Sequence, residues 1–125
     1  MPVTFEIKPS LQTIFSTFHG VATEDDLISE AIALSKHVDF NPAFSHIIDF
    51  SAATSTTLSP AFLRSFAQEK SLFSRDAKQV VVAPQPHIFG LARMVQMLRE
   101  ARSPNIEVVR SMNEACALLG IQRVG

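Results

Sequence analysis

The side chains best suited to hold an anion follow two predicted strands, at the starts of the next helices. Thr57 and Ser59 close the hydroxyl-rich stretch "SAATSTTLS", and His87 and Arg93 lie in the first turns of a later helix. In an open parallel sheet, ligands bind beyond the carboxyl ends of the strands, where helix starts offer free N–H groups. The sequence predicts an anion or phosphate site formed by these four residues. The alternative is that Ser59 is a helix cap, the other hydroxyls bond the loop backbone, and Arg93 lies in solvent.

The other reactive residue types show no pattern of a metal or catalytic site. The four histidines are scattered, with no pair at a ligand spacing such as H-x3-H, and no HExxH or CxxC motif occurs. Cys116 lies among alanines and leucines of a predicted helix, which favours a small core residue over a nucleophile. No glycine loop for phosphate, nucleophile elbow or dinucleotide motif is present. We therefore expect no metal, no cofactor and no enzymatic activity.

The third predicted helix, "PHIFGLARMVQMLREAR", is apolar over an unusually wide arc. The residues expected to face the sheet are Ile88, Leu91, Ala92, Val95 and Leu98. The expected polar stripe consists of Arg93, Gln96, Glu100 and Ser103. Met94, Met97 and Ala101 extend the apolar surface, and methionine adapts to varied partners. This arc predicts a dimer or partner interface, with a lipid-like ligand site or simple burial within the domain as alternatives.

Strand and helix patterns alternate along the chain and position these residues. The predicted strands are 3–7, 11–18, 46–50, 79–84 and 106–110. Helices are predicted to follow the caps Thr23, Ser59 and Ser111, and a further helix is predicted to begin at Pro86. Gly20 is expected to end the second strand, 51–59 to be a polar loop, and Ser111 and Glu114 to form a capping box. This order predicts an α/β fold. Its five-stranded sheet is mostly parallel, with an antiparallel edge strand and helices on both faces.

Length and composition exclude several classes of protein. The 125 residues predict a single domain, 1–125, and the net charge of −1 argues against nucleic acid as a partner. The apolar runs are too short to span a membrane, and the start "MPVTFEIKPS" shows no signal peptide. One cysteine cannot form an internal disulfide, so we expect a cytoplasmic protein.

Four segments together are similar to a known family: "FHGVATEDDL", "IIDFSAAT", "FGLARM" and "EACALLG". Over nearly its whole length the chain resembles the SpoIIAA-like branch of the STAS domains. These domains occur in anti-sigma factor antagonists and in the cytoplasmic tails of sulfate transporters. The resemblance implies a STAS-like sheet whose first strand lies at one edge, antiparallel to the others.

The resemblance also bears on phosphorylation. In the antagonists, a partner kinase phosphorylates a serine in a D-S-S-G-like pattern that follows the strand ending in aspartate. Laid on this chain from Asp49, the pattern falls on Thr57, Leu58, Ser59 and Pro60. Only Ser59 matches, as the second serine, and Leu58 stands in the acceptor's place. This departure argues against a phosphate switch of the family type, and phosphorylation of Thr57 or Ser59 is a separate hypothesis.

Two functions from different classes follow. The first is a non-enzymatic regulatory or protein-binding module that acts as a homodimer or with a protein partner. The alternative is a binding protein for a small anion or a lipid-like molecule, using the crevice at the strand carboxyl ends or the space between the sheet and the third helix. A protein-binding module should show an exposed apolar patch, whereas a ligand-binding protein should show a concave cavity with a few polar groups.

Overall fold

The computed structural model describes residues 2–122, which form strands and helices in alternation. The strands are β1 (Val3–Lys8), β2 (Thr13–Phe18), β3 (Gly20–Ala22), β4 (Ser45–Asp49), β5 (Ala53–Thr56), β6 (Gln79–Val82) and β7 (Ile106–Val109). The helices are α1 (Glu24–Lys36), α2 (Pro60–Gln68), α3 (Pro86–Arg99) and α4 (Met112–Leu119).

The main sheet has five strands in the order β1-β2-β4-β6-β7. β1 pairs with β2 in the antiparallel sense, and β2, β4, β6 and β7 are parallel. The predicted α/β architecture with one antiparallel edge strand is therefore confirmed. The central strands "SHIID" and "QVVV" lack the polar alternation of a half-exposed strand because helices cover both of their faces.

Helices cover both faces of this sheet. Successive residues of a strand point to opposite sides, so their contacts show which helices lie on each face. Ile47 of β4 packs in a cluster with Ala115 of α4. The next residue, Ile48, packs in a different cluster with Leu27 of α1 and Ile88 of α3. α4 therefore lies on one face, and α1 and α3 lie on the other, with α2 packed on α3.

Capping side chains start the helices much as the sequence predicts. The hydroxyl of Thr23 accepts a hydrogen bond from the Asp26 N–H, and the Asp26 carboxylate accepts one from the Thr23 N–H. Ser59 accepts from the N–H of Phe62 at 3.1 Å. The predicted box at α4 forms only in part. Ser111 accepts from the Glu114 N–H, but the Glu114 carboxylate bonds the N–H of the preceding residue, 110, instead of that of Ser111.

The predictions for 11–18 and 51–59 are wrong in detail. Pro9 has a fixed φ and no N–H, and it opens a short 3₁₀ turn (Pro9–Leu11), so β2 begins only at Thr13. Gly20 starts β3, and this strand pairs in parallel with β5, which occupies part of the predicted loop. The Thr56 hydroxyl donates to the Ala22 carbonyl at 2.8 Å. A hydroxyl group that the sequence assigned to a loop therefore helps to join the two strands.

Candidate functional site

An apolar cleft of about 430 Å³ lies between the sheet and the layer formed by α1 and α2. α1 packs over β1, whereas α2 packs on α3, so the two helices leave a gap above the centre of the sheet. The principal apolar wall residues are Leu27, Ala31, Leu34, Ile48, Phe62 and Phe66. This volume is within the range of small-molecule sites in proteins.

Glu30 brings a carboxyl group into the apolar wall. It lies three residues after Leu27 and four before Leu34, so helical geometry places it on the face of α1 that packs inward. Only 7% of its surface is exposed, and its Oε2 has no hydrogen-bond partner within residues 2–122. Burial raises the pKa of Glu30 to about 7, and a hydrogen bond with the Ser16 side chain opposes that rise. Near neutral pH this carboxyl therefore exists in both protonated and ionised forms.

His46 lines the cleft from the start of β4. Its ring is stacked on Phe73, with centroids 4.9 Å apart, and its Nε2 shares a hydrogen bond of 2.7 Å with the Ser16 hydroxyl. Burial lowers the pKa of His46 to about 3, so the ring is neutral at physiological pH. His46 therefore contributes a polar but uncharged surface.

Gln79 and Arg99 supply the remaining buried polar groups of the cleft. Their side chains are 8% and 9% exposed. Arg99 Nη2 donates to the Phe66 carbonyl at 3.0 Å, and the guanidinium lies over the Phe66 ring. Burial, together with the nearby charge of Arg102, lowers the pKa of Arg99. Among the described residues, Gln79 Nε2 and Arg99 Nε have no acceptor.

Buried polar atoms without a partner are concentrated at the cleft, and the other two in residues 2–122 are Gln85 Oε1 and Gln96 Oε1. A buried donor or acceptor without a partner costs about 1–3 kcal/mol. Three such atoms, on Glu30, Gln79 and Arg99, belong to residues that line one apolar cavity. A molecule with an apolar body and a polar end would satisfy them. The arrangement therefore suits binding of an amphipathic small molecule.

The four residues of the predicted anion site lie elsewhere. Thr57 is exposed and donates its backbone N–H to the Ala22 carbonyl at 3.0 Å, and Ser59 caps α2. His87 is exposed at the second position of α3. None of the four lines the cleft. A shared site for them stays a prediction.

Arg93 lines a separate shallow hollow of about 320 Å³ beside β7. Gln96 and Ser103 also line this hollow. The helical pattern predicts them on the solvated polar stripe of α3, but they are not exposed. α3 lies on β7, so the Gln96 side chain donates to the Ile106 carbonyl at 2.7 Å, and Ser103 is buried. Only Arg93 and Glu100 of that stripe are exposed.

A third hollow, of about 470 Å³, extends from the carboxyl ends of β4 and β7 to β1. Its charged lining residues are Glu6, Lys8, Asp49 and Arg110, so both signs are present. The Asp49 carboxylate already accepts the Ser51 N–H at 2.8 Å. Because positive and negative groups are balanced, this hollow does not favour an anion. It therefore differs from the anion site that the helix starts predicted.

The predicted partner interface on α3 divides into buried and exposed parts. Met94 is half-buried and packs on the cluster of Leu58, Leu63 and Leu91. Met97 is 62% exposed, and Ala101 is exposed in the turn after α3. Leu98 was expected to face the sheet, but it is 48% exposed. The buried residues of α3 are Ile88, Leu91 and Arg99, so Leu98 lies off its buried face.

Glu30, His46, Gln79 and Arg99 were not among the predicted site residues, although the sequence contains a signal for three of them. Glu30 interrupts the apolar face of its helix. His46 precedes the apolar pair Ile47 and Ile48 in β4, and Gln79 precedes three valines in β6. A polar residue on a buried face is more informative than a hydroxyl-rich loop. Arg99 gave no comparable signal, because a basic residue in a last helical turn is common.

Two absences hold within residues 2–122, the described part of the chain. No three His, Cys, Asp or Glu side chains in this range come together in a group that could hold a metal ion. None of its helices combines the length and apolar character needed to cross a membrane.

Comparison with known proteins identifies the fold. The structure is similar to the crystal structure of an uncharacterized protein of the DUF3478 family with a SpoIIAA-like fold, from Shewanella loihica PV-4. The TM-score is 0.61 and the sequences are 14% identical, over 94% of this chain and 93% of that chain. No family profile and no curated protein matches the sequence. The chain has a SpoIIAA-like fold, as its motifs predicted.

Proposed function

We propose that this protein is a non-enzymatic regulatory module of the cytoplasm that binds a small amphipathic molecule in the cleft between α1, α2 and the sheet. The observation that carries the proposal is the set of buried polar atoms without partners on Glu30, Gln79 and Arg99, which line one apolar cavity. A closed core would hold partners for these atoms. The cleft differs in place from the carboxyl-end crevice that the sequence suggested.

A cleft-filling substitution tests this function. Ala31 lines the cleft, so Ala31→Phe would place a ring in the cavity. Ala33, two residues further along α1, is exposed and does not line the cleft, so Ala33→Phe is the matched control. We expect calorimetric titration with decanol or decanoate to show binding to the wild type and to Ala33→Phe, and loss of binding in Ala31→Phe.

Thermal unfolding of each variant would establish that it is folded. Binding of neither compound to the wild type would contradict the proposed function. Equal binding by folded Ala31→Phe and by the wild type would contradict the location of the site.

A second candidate is a homodimer formed through α3, favoured by its exposed apolar residues Met97 and Leu98. In an antiparallel pair of α3 helices, a twofold axis midway between Gln96 and Met97 places Arg93 of one copy opposite Glu100 of the other, twice. Such self-complementarity is what a symmetric dimer requires. Within residues 2–122 the ion pair is that of Glu6 with Lys8, so Arg93 and Glu100 keep their charges free for such pairing.

Sedimentation velocity tests the dimer. We expect the wild type to associate with increasing concentration and Met97→Lys to remain monomeric, because a charge would be buried at the centre of the interface. Leu118→Lys, at an exposed apolar residue of α4 on the other face of the sheet, is the control. A wild type that stays monomeric at high concentration would remove this candidate.

A further inference from the structure

We infer that the ligand of the cleft is an apolar carboxylic acid, whose carboxylate accepts hydrogen bonds from Gln79 Nε2 and Arg99 Nε while its chain lies along the apolar walls. The inference rests on the proposed function and names the chemistry of its ligand. It follows from the kind of polar atom that the cleft leaves without a partner.

The two unpartnered nitrogens can only donate. The side-chain amide of Gln79 and the guanidinium of Arg99 are both at least nine-tenths buried, so water reaches them poorly. Both nitrogen atoms are covered in this structure, so a ligand that satisfies them must bring acceptor oxygens and displace the side chains that cover them. One Arg99 nitrogen, Nη2, is already taken by the Phe66 carbonyl, which fixes the guanidinium and leaves Nε for the ligand.

Charge further narrows the choice of ligand. Arginine keeps its positive charge in proteins, so a ligand ammonium beside it would be repelled, whereas a carboxylate would form a charge-assisted hydrogen bond. The apolar walls, from Leu27 to Phe66, require a hydrocarbon body. An alcohol would bring an acceptor, but it would leave the charge of Arg99 unmatched.

Glu30 links this binding to pH. The other charged and titratable groups that line the cleft are His46 from β4, Glu69 and Lys70 after α2, and Arg99 from α3. On the same helix as Glu30, Asp26 lies one turn earlier and belongs to the cap of α1. Lys70 and Glu69 are exposed, and His46 is neutral, so Arg99 is the buried charged residue that lines the cleft together with Glu30. Two carboxylates in one buried site repel each other. A ligand carboxylate therefore binds when Glu30 is protonated. The protonated Glu30 side chain can then donate its O–H to the ligand carboxylate.

The sign of the pH dependence follows from the pKa of Glu30, which is about 7. Below this pH Glu30 is protonated before the ligand arrives. Above it, binding must take up one proton, so affinity should fall by up to about tenfold for each pH unit. The ligand itself stays ionised across this range.

Matched ligands and matched variants test the inference by calorimetry at about pH 6 and about pH 8. We expect the wild type to bind decanoate at least about tenfold more tightly than decanol at the lower pH, the range expected for a charge-assisted hydrogen bond. Decanoate affinity should drop at the higher pH, and decanol affinity should not. Glu30→Gln should remove this drop, whereas Glu69→Gln, at an exposed residue of the same cleft, should retain it.

The outcomes separate the two proposals. Equal affinity for decanol and decanoate would overturn the carboxylate inference and leave the ligand-binding function standing. Binding of neither compound would overturn the ligand-binding function. An unchanged drop in Glu30→Gln, with circular dichroism like that of the wild type, would show that Glu30 is not the proton acceptor and would overturn the proton linkage.

Discussion

The Nε2 atom of His46 lies 2.7 Å from the Ser16 hydroxyl oxygen, and both side chains are at least 96% buried. This bond joins two neighbouring strands, β2 and β4, beneath the cleft. The Ser16 side chain also interacts with the Glu30 carboxyl, so Ser16 links the neutral histidine to the titrating acid. Ser16 of the sheet therefore contacts two polar residues of the cleft, His46 and Glu30.

Ser16→Ala should destabilise the protein by about 1–3 kcal/mol, because it leaves the buried His46 Nε2 without a partner. Urea unfolding would measure this change. Ser35→Ala is the matched control: Ser35 is exposed on α1 and bonds only the Ile32 carbonyl, so its loss should change stability by less than about 0.5 kcal/mol. Equal stability of Ser16→Ala and the wild type would show that the hydrogen bond contributes nothing.

Glu30 and His46 should change stability with pH in opposite directions. The pKa of Glu30 is raised from 4.5 to about 7, so its favourable contribution is present below about 4.5 and lost as the pH rises to about 7. The pKa of His46 is lowered from 6.5 to about 3, so its contribution is present above 6.5 and lost as the pH falls toward about 3. Between 4.5 and 6.5 the two slopes cancel.

Glu30→Gln removes one of these slopes. Relative to the wild type, its free energy of unfolding should increase as the pH rises from about 4.5 to about 7, by at most about 3 kcal/mol. Urea unfolding across this range would measure the difference. Glu69→Gln should show no such trend, since Glu69 is exposed. A difference that does not vary with pH would mean that Glu30 titrates normally in the folded protein.

Local signals in the sequence were enough to predict the fold. These signals depend on neighbouring residues only. They are the alternation of strands and helices, the caps Thr23 and Ser59, and the uninterrupted apolar strands, and each was found as expected. The β3–β5 pairing was missed because it depends on two distant short segments. Strand pairing is decided by tertiary contacts, which a single stretch such as "ATST" does not reveal.

The site was harder to predict than the fold. Helix starts after parallel strands are a general feature of such sheets, so they suggested Thr57, Ser59 and His87 without identifying a cavity. The cleft instead depends on how far α1 and α2 stand apart, and Glu30, Gln79 and Arg99 come to line one cavity only after the helices pack. Leu58 illustrates the same point: it stands where the family carries its acceptor serine, and it is buried against Leu63 and Leu91.

Ser59→Ala should lower stability by about 1 kcal/mol, because the Phe62 N–H loses its acceptor at the start of α2. Ser59→Asp should restore most of this loss, since aspartate caps as well as serine. Thr57→Ala is the control, because the hydrogen bond of Thr57 uses its backbone N–H. Chemical denaturation would compare the three. Equal losses in the Ser59→Ala and Thr57→Ala proteins would contradict a capping role particular to Ser59.

Reversing charges on α3 should decide whether the helix pairs with a second copy of itself. Arg93→Glu places two acidic residues opposite each other across the proposed twofold axis, and Glu100→Arg does the same with two basic residues. Each single change should weaken self-association, and the double change should restore it, because opposite charges then face each other again. Exposed ion pairs contribute about 0.2–1 kcal/mol each, and the dimer would contain two.

Sedimentation equilibrium at low and at moderate salt would measure this coupling. The restored association should weaken as salt is added, because exposed charges are screened. Arg64→Glu, at an exposed residue of α2, controls for the change in net charge alone. If the double variant associates no better than the single ones, then Arg93 and Glu100 do not face each other, and the antiparallel arrangement of α3 is wrong.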